Sequence, residues 1–150
     1  MKKYSSLVVI MALLIIIISV FSGFADPSVS GDSNVEQLLQ QRTSILQKAF
    51  YNQISKEKAE EALEKIETYP LITKDIEELR DWDNTEIDVV NSMKFLDIKQ
   101  EKNLLEYSTY KVKILWEMSG LDKDYTMEGN YNIVLKKSDG LYKISCLNAI

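Results

Sequence analysis

Any chemistry in this chain would fall to carboxylates, tyrosines, amides or one thiol, because its 150 residues include no histidine and a single cysteine, Cys146. The missing histidine removes the usual general base near neutral pH, the commonest transition-metal ligand and every Ser/His or Cys/His nucleophile pair. One cysteine allows neither an internal disulfide nor a cysteine-based zinc site. The best-placed polar set is Asn91, Tyr110, Tyr131 and Asn148, which share the inner face of a sheet if their strands pair as argued below. Amides and phenols converging between apolar walls suit a small, largely apolar ligand. The plainer alternative is that they bond one another or the backbone in a filled core, as buried polar groups must. Residues 81–86 and 122–128 are rich in acids, yet neither has an acid or amide at the fifth position or the glycine at the sixth that a calcium loop requires. Neither a metal nor a cofactor is expected, and the absence of a catalytic motif leans against an enzyme.

These residues have to be positioned by elements that begin only after an unusual N-terminus. Lys2 and Lys3 precede residues 7–21, in which Ser19 is the only polar side chain, and Gly23-Phe24-Ala25 offers small residues for cleavage before Asp26. That is the layout of an export signal. Residues 7–25 are also just long enough to cross the ~30 Å hydrocarbon core as a helix. Residues 1–25 are therefore expected to be either a signal peptide or a retained membrane anchor, with the rest of the chain outside the cytoplasm. The protein would be secreted after cleavage and a single-pass envelope protein without it. Removing Lys2 and Lys3 with that segment leaves 16 basic against 23 acidic residues. Such a domain, with no basic stripe in its sequence, is a poor partner for nucleic acid or anionic headgroups.

Residues 26–33 have linker composition, and residues 34–150 are expected to form one domain. Ser33 and Glu36 have capping-box spacing, and Leu38, Leu39, Ile45, Leu46, Ala49 and Phe50 then follow on one helical face, with Arg42 interrupting the stripe. Ser55 caps a second helix that buries Ala59, Ala62, Leu63 and Ile66 and shows solvent an acidic side that includes Glu57, Glu60, Glu61 and Glu64. Pro70 ends it, and Thr73 starts a third helix with Ile76 and Leu79 inward.

The period then changes to two. Ile87, Val89, Asn91, Met93 and Phe95 alternate with polar residues; a polar turn at 100–103 precedes Tyr110, Val112, Ile114, Trp116 and Met118; Tyr125 to Leu135 and the segment after Asp139-Gly140 complete the set. Loops of four, six and two residues pair Met93 with Tyr110, Trp116 with Met127, and Leu135 with Ile144. They put Ile133 opposite Cys146 and Tyr131 opposite Asn148, with Cys146 as a small core residue. The predicted architecture is α+β: an N-terminal hydrophobic helix, then about three helices packed on one face of a four-stranded antiparallel meander.

Helices first, then long strands closing on Lys-Lys-Ser-Asp-Gly-Leu-Tyr-Lys-Ile-Ser (residues 136–145), resembles the nuclear transport factor two-like, or cystatin-like, superfamily. The likeness covers about residues 34–148, with Leu141 and Tyr142 where that family's closing hairpin usually has Lys and Trp. It implies a cone-like sheet around a pocket, but the superfamily holds enzymes, binding proteins and membrane-tethered assembly domains, so it selects no function. On the opposite face, Leu96, Ile98, Leu105, Tyr107, Val134 and Leu147 form a candidate contact patch. The expected function is a non-catalytic, extracytoplasmic interaction or assembly domain. It would meet an envelope protein or a second copy through that face, and the membrane through residues 7–25. The alternative is a pocket protein for a small apolar ligand.

Overall fold

The computed structural model describes residues 31–82 and 88–150, and three helices lead into a four-stranded antiparallel sheet of order β1-β2-β3-β4. The helices are α1 (Gly31–Phe50), α2 (Lys56–Ile66) and α3 (Leu71–Asp81). The strands are β1 (Val89–Asn103), β2 (Tyr107–Ser119), β3 (Asp124–Ser138) and β4 (Leu141–Ala149). The expected α+β meander is therefore the fold. The export segment, the first five residues of the expected linker and the expected pairing of Ile87 lie outside the described residues. Among the described residues no helix is long and apolar enough to cross a membrane.

α1 starts at Gly31, so Ser33 lies inside its first turn instead of capping it. Of its apolar stripe Leu38, Leu39 and Ala49 are buried, together with Val35, while Ile45, Leu46 and Phe50 are partly buried against the core, and the helix runs along β1. α2 is capped by Ser55, whose hydroxyl accepts from the Lys58 amide. Its acidic side is not all solvated: Glu60 takes a two-pronged bond from Arg80 at 2.8 Å on each prong, which ties α2 to α3. α3 begins at Leu71, two residues before Thr73, directly after the cis Tyr69–Pro70 bond. Lys56, at the start of α2, donates to the carbonyls of Arg80 and Trp82, so its cation sits where the dipole of α3 is negative.

β2 is the spine of the core, with Tyr110, Val112 and Ile114 buried against the helices. Its pairing with β3 follows the expected register, Trp116 opposite Met127, Ile114 opposite Gly129 and Tyr110 opposite Ile133. The pairing with β1 does not. The polar residues 100–103 continue the strand, the turn is Leu104-Leu105-Glu106, and Met93 pairs with Trp116 while Gln100 pairs with Tyr110. Gln, Glu and Lys are hydrophilic but do not favour turn dihedrals, and Asn103, which does, comes only at the end of the run, so polarity alone does not bend the chain. Shifts at Asn91, Leu96 and Glu101 each add an unpaired residue and reverse the parity of the strand. The inward positions of β1 become Val90, Met93, Phe95, Ile98 and Gln100. A further bulge at Ser145 preserves Leu135 opposite Ile144 but then sets Ile133 opposite Leu147, and Val134 opposite Cys146.

Tyr131 lies across Gly129, where an added Cβ would come within 2.5 Å of the phenol oxygen and 2.7 Å of the ring. That close approach lets the Tyr131 hydroxyl accept from Trp116 Nε1 at 3.0 Å, with the two rings edge-on at 6.1 Å. Gly129→Ala is expected to displace the phenol and lose this bond, at a cost of about 1 kcal/mol. The expected readouts are a lowered thermal midpoint and loss of near-ultraviolet dichroism in a Trp82→Phe background. An unchanged aromatic signal would show that the contact does not depend on Gly129.

Candidate functional site

The bulges decide where the candidate residues lie. Tyr110 is 3 % exposed and its hydroxyl accepts from Gln100 Nε2 at 3.0 Å, which makes it a core residue with its one polar atom engaged. Tyr131 is half-buried and held by Trp116. Asn91 is an exposed bulge residue whose amide donates to Ser119 Oγ. Asn148 pairs with Asn132 on the outer face, where its amide donates to Cys146 Sγ. The expected row therefore does not assemble. The single-residue slip at Ser145 takes Asn148 out of it, and the bulge at Asn91 turns that side chain away. Cys146, expected inside, is half-buried on the outer face for the same reason.

The outer patch is also redistributed. Ile98 and Leu147 pack against the core cluster, so they leave the patch. Leu96 is a bulge residue and remains exposed, while Val134 is half-buried on the outer face. Leu105 and Tyr107 stand at the tip of the β1–β2 hairpin instead of on a flat sheet face. Between them the outer face shows mostly polar side chains: Asp97 opposite Lys113, Lys99 opposite Lys111, and Asn132 opposite both Lys111 and Asn148. Lys111 pairs with Glu101 and Lys113 with Glu128, both at 2.7 Å.

The most unusual chemistry was not among the sequence candidates. Glu67 caps the C-terminus of α2, Asp75 lies in the middle of α3, and both carboxyls are closed to solvent, with side chains 0 % and 1 % exposed. Arg42, from the middle of α1, reaches both. Its Nη2 is 2.6 Å from Asp75 Oδ2, and its Nε–H is directed at the same oxygen at 2.8 Å. That Nε also lies 2.9 Å from Glu67 Oε1, but its N–H is aimed at Asp75 and not at Glu67. Both Glu67 oxygens and Asp75 Oδ1 are thus buried without a directed hydrogen bond.

One arginine neutralises one carboxylate. Burial, and then the Asp75 charge, push the Glu67 carboxyl up to about 8 against the pull of Arg42. At neutral pH Glu67 therefore carries its proton and has an O–H to give to Asp75. The cluster is then neutral overall, with a donor for an oxygen that otherwise has none. A carboxylic acid held protonated is suited to proton transfer, but this one has no solvent-open approach for a substrate. Its chemistry is that of a latch between α1, the α2–α3 junction and, through the bridge of Glu67 with Ile144, the edge of β4. Among the described residues no three acidic, histidine or cysteine side chains converge as a metal site.

An open groove of about 670 Å³ lies beside the latch, between α1, α2 and the start of β4. Its floor includes Leu38, Ile45 and Ile66 and its rim Gln41, Lys65 and Tyr142, so it takes in none of the four residues expected to form a pocket. The signal for the latch was present in the sequence as Arg42 breaking an apolar stripe. Its partners were hidden because Glu67 follows a run of exposed acids and Asp75 sits in a short helix with other charges. The chain matches no protein family model, and no curated protein matches it. The class that the structure defines is an α+β domain of three helices and a four-stranded antiparallel meander.

Because Glu67 binds its proton more tightly folded than unfolded, its contribution to stability is present below its ordinary range and lost as pH rises towards 8. The thermal midpoint should fall between about pH 5.5 and pH 8, after ordinary carboxylates have titrated. Glu67→Gln, which keeps a donor for Asp75 and cannot ionise, should flatten that slope; an unchanged slope would show that another group causes it. Arg42→Met leaves a buried carboxylate without its cation and should cost about 3–5 kcal/mol in denaturant unfolding, a loss typical of breaking a buried pair.

Proposed function

We propose that this chain is a non-catalytic domain displayed outside the cytoplasm at the cell envelope, held there by residues 7–25, and that it acts by protein contact through the uncovered face of its sheet. The carrying observation is the division of labour between the two faces. All three helices and the engaged side chains Tyr110, Tyr131 and Trp116 fill the inner side, while no described element covers the outer side. Leu96, Leu115, Val134 and Cys146 punctuate the outer face among amides and lysines, and a non-obligate interface need be no more apolar than the rest of a protein surface. The order of helices and strands is that on which the likeness to nuclear transport factor two-like domains rests, and membrane-tethered assembly domains are among the members of that superfamily.

The test is to crowd the outer face without touching an ion pair. Asn130→Arg combined with Asn148→Arg adds two bulky cations at exposed positions. The unaltered full chain, extracted from membranes in mild detergent, should migrate as an assembly larger than one copy. The double variant should run as a single copy, with a thermal midpoint within about 4 °C of the parent, as for most surface changes. A parent that already runs as one copy, or a variant that keeps the larger mass, would overturn the reading.

A further inference from the structure

The β1–β2 hairpin ends in a way that the fold does not need. Residues 99–107 are exposed without a break, and yet the turn and the first residue of β2 supply Leu104, Leu105 and Tyr107, which are 49 %, 90 % and 39 % exposed. Hairpin turns ordinarily use Gly, Asn or Asp, so two leucines here answer no backbone requirement. The tip is nonetheless held in place. The Leu104 amide donates to the Tyr107 carbonyl, Ser108 Oγ donates to Asn103 Oδ1 at 3.0 Å, and the Lys137 amide donates to the Glu106 carbonyl at 2.8 Å. Leu141, 56 % exposed, sits at the neighbouring turn of the same end.

Charge is also divided along the strands. At the tip end Glu101 pairs with Lys111 and is also drawn on by Lys99 and Lys102, and Asp139 pairs with Lys143, so Lys99, Lys102, Lys136 and Lys137 are in excess over Glu106, the remaining acid of the sheet there. Around the opposite turn the balance reverses, with Asp88, Glu117, Asp122 and Asp124 against Lys123. No basic stripe was visible in the sequence because these lysines come from two strands, β1 and β3, and are brought to one end only in the sheet.

The entry of the chain lies at the tip end. Asn34 and Gln37, in the first turns of α1, line a groove with Leu141 and Tyr142, whereas Gln47 near its other end bonds the backbone of Val90. Between Ala25 and Gly31 there are six Cα steps, a reach of at most ~21 Å. The tip stands five residues beyond Tyr110, or ~17 Å, while the β2–β3 turn is a full strand of ~40 Å away. A chain held in a bilayer by residues 7–25 can stand with the tip on that bilayer and cannot stand upright on its acidic end.

We propose that the β1–β2 hairpin tip docks on an anionic lipid bilayer, with Leu104 and Leu105 in the interface, Tyr107 at headgroup level and Lys102, Lys136 and Lys137 against the phosphates. The side-chain types are those that interfacial anchors use: an apolar point, an amphipathic ring and cations on long stems. Docking of this kind fixes the orientation of the domain and leaves the outer sheet face free for its protein contact. It rests on the reading above that residues 7–25 hold the chain in the membrane.

The test uses the full chain with Cys146→Ser and a polarity-sensitive dye on Leu105→Cys, or on Leu121→Cys at the opposite turn, where the native leucine is 84 % exposed. Each is mixed into vesicles of phosphatidylethanolamine and phosphatidylglycerol. The dye at 105 should shift to the blue and be quenched by spin-labelled lipid, while the dye at 121 keeps its emission in water. Lys102→Glu, Lys136→Glu and Lys137→Glu together, or vesicles of phosphatidylcholine alone, should remove more than half of the shift. A chain that floats with the vesicles but gives the same emission at both positions overturns tip docking and leaves membrane attachment standing. A chain that does not float overturns both. A shift that follows protein concentration instead of lipid assigns the tip to a second copy and overturns the lipid proposal.

Discussion

Two carboxyls and one guanidinium, closed away from water, set the terms on which the helical layer of this domain is assembled. Arg42 directs its hydrogen bonds at Asp75 and none at Glu67. Glu67 is left to resolve its burial by keeping a proton, which is why its carboxyl is pushed up to about 8. The arrangement spans the centre of α1, the end of α2 and the centre of α3, and the same Glu67 backbone bridges to Ile144 on β4. Helices packed only by leucine and isoleucine can slide by a fraction of a turn at small cost. A buried acid pair that must meet one arginine cannot, because a displaced carboxylate would be stranded without a partner.

The sheet answers to a different constraint, the placement of its unpaired residues. A strand with strict alternation would show the inward side of β1 as every second residue. The insertions at Asn91, Leu96 and Glu101 change the inward set to Val90, Met93, Phe95, Ile98 and Gln100. The repeated two-and-three spacing lets a fifteen-residue edge strand keep its large side chains on the core while its direction bends. Bulges and exposed lysines also blunt an edge that would otherwise invite another strand. The insertion at Ser145 does the same on β4, bringing Leu147 in and sending Cys146 out.

The order and kind of every described element could be read from periodicity, and so could the β2–β3 register, because Trp116, Ile114 and Tyr110 face unambiguous partners across a short polar loop. The polar row and the apolar patch could not. Both depended on parity being preserved along β1 and β4, and nothing in the composition of Asn91, Leu96, Glu101 or Ser145 marks them as inserted residues. A bulge is decided by packing across the sheet, which has no local signature when no glycine is used. The latch fell between these cases. An arginine in an apolar stripe is a conspicuous demand for buried acid, but Glu67 and Asp75 lie 25 and 33 positions further on, each among other acidic residues. What singles them out is burial, and burial is a property of the assembled helices.

The latch and the bulges together explain why the two ends of the sheet differ. With α1 pinned at Arg42 and bonded to Val90 through Gln47, its start is committed to the end of the sheet that carries Tyr110 and Tyr142. The extension of β1 past its third bulge then carries residues 102–107 beyond the reach of the helices, at that same end. Polar residues in this extension need no core, which is why a run that reads as a turn can continue as strand. The turn it finally makes contains the most exposed leucine among the described residues, Leu105. An exposed leucine in isolation needs no explanation. Here two stand together with a tyrosine, on a braced hairpin, at the end of the sheet from which the preceding chain departs. Their position follows from the same parity changes that dissolved the expected patch, so the apolar surface was not lost but moved from the flat of the sheet to its end.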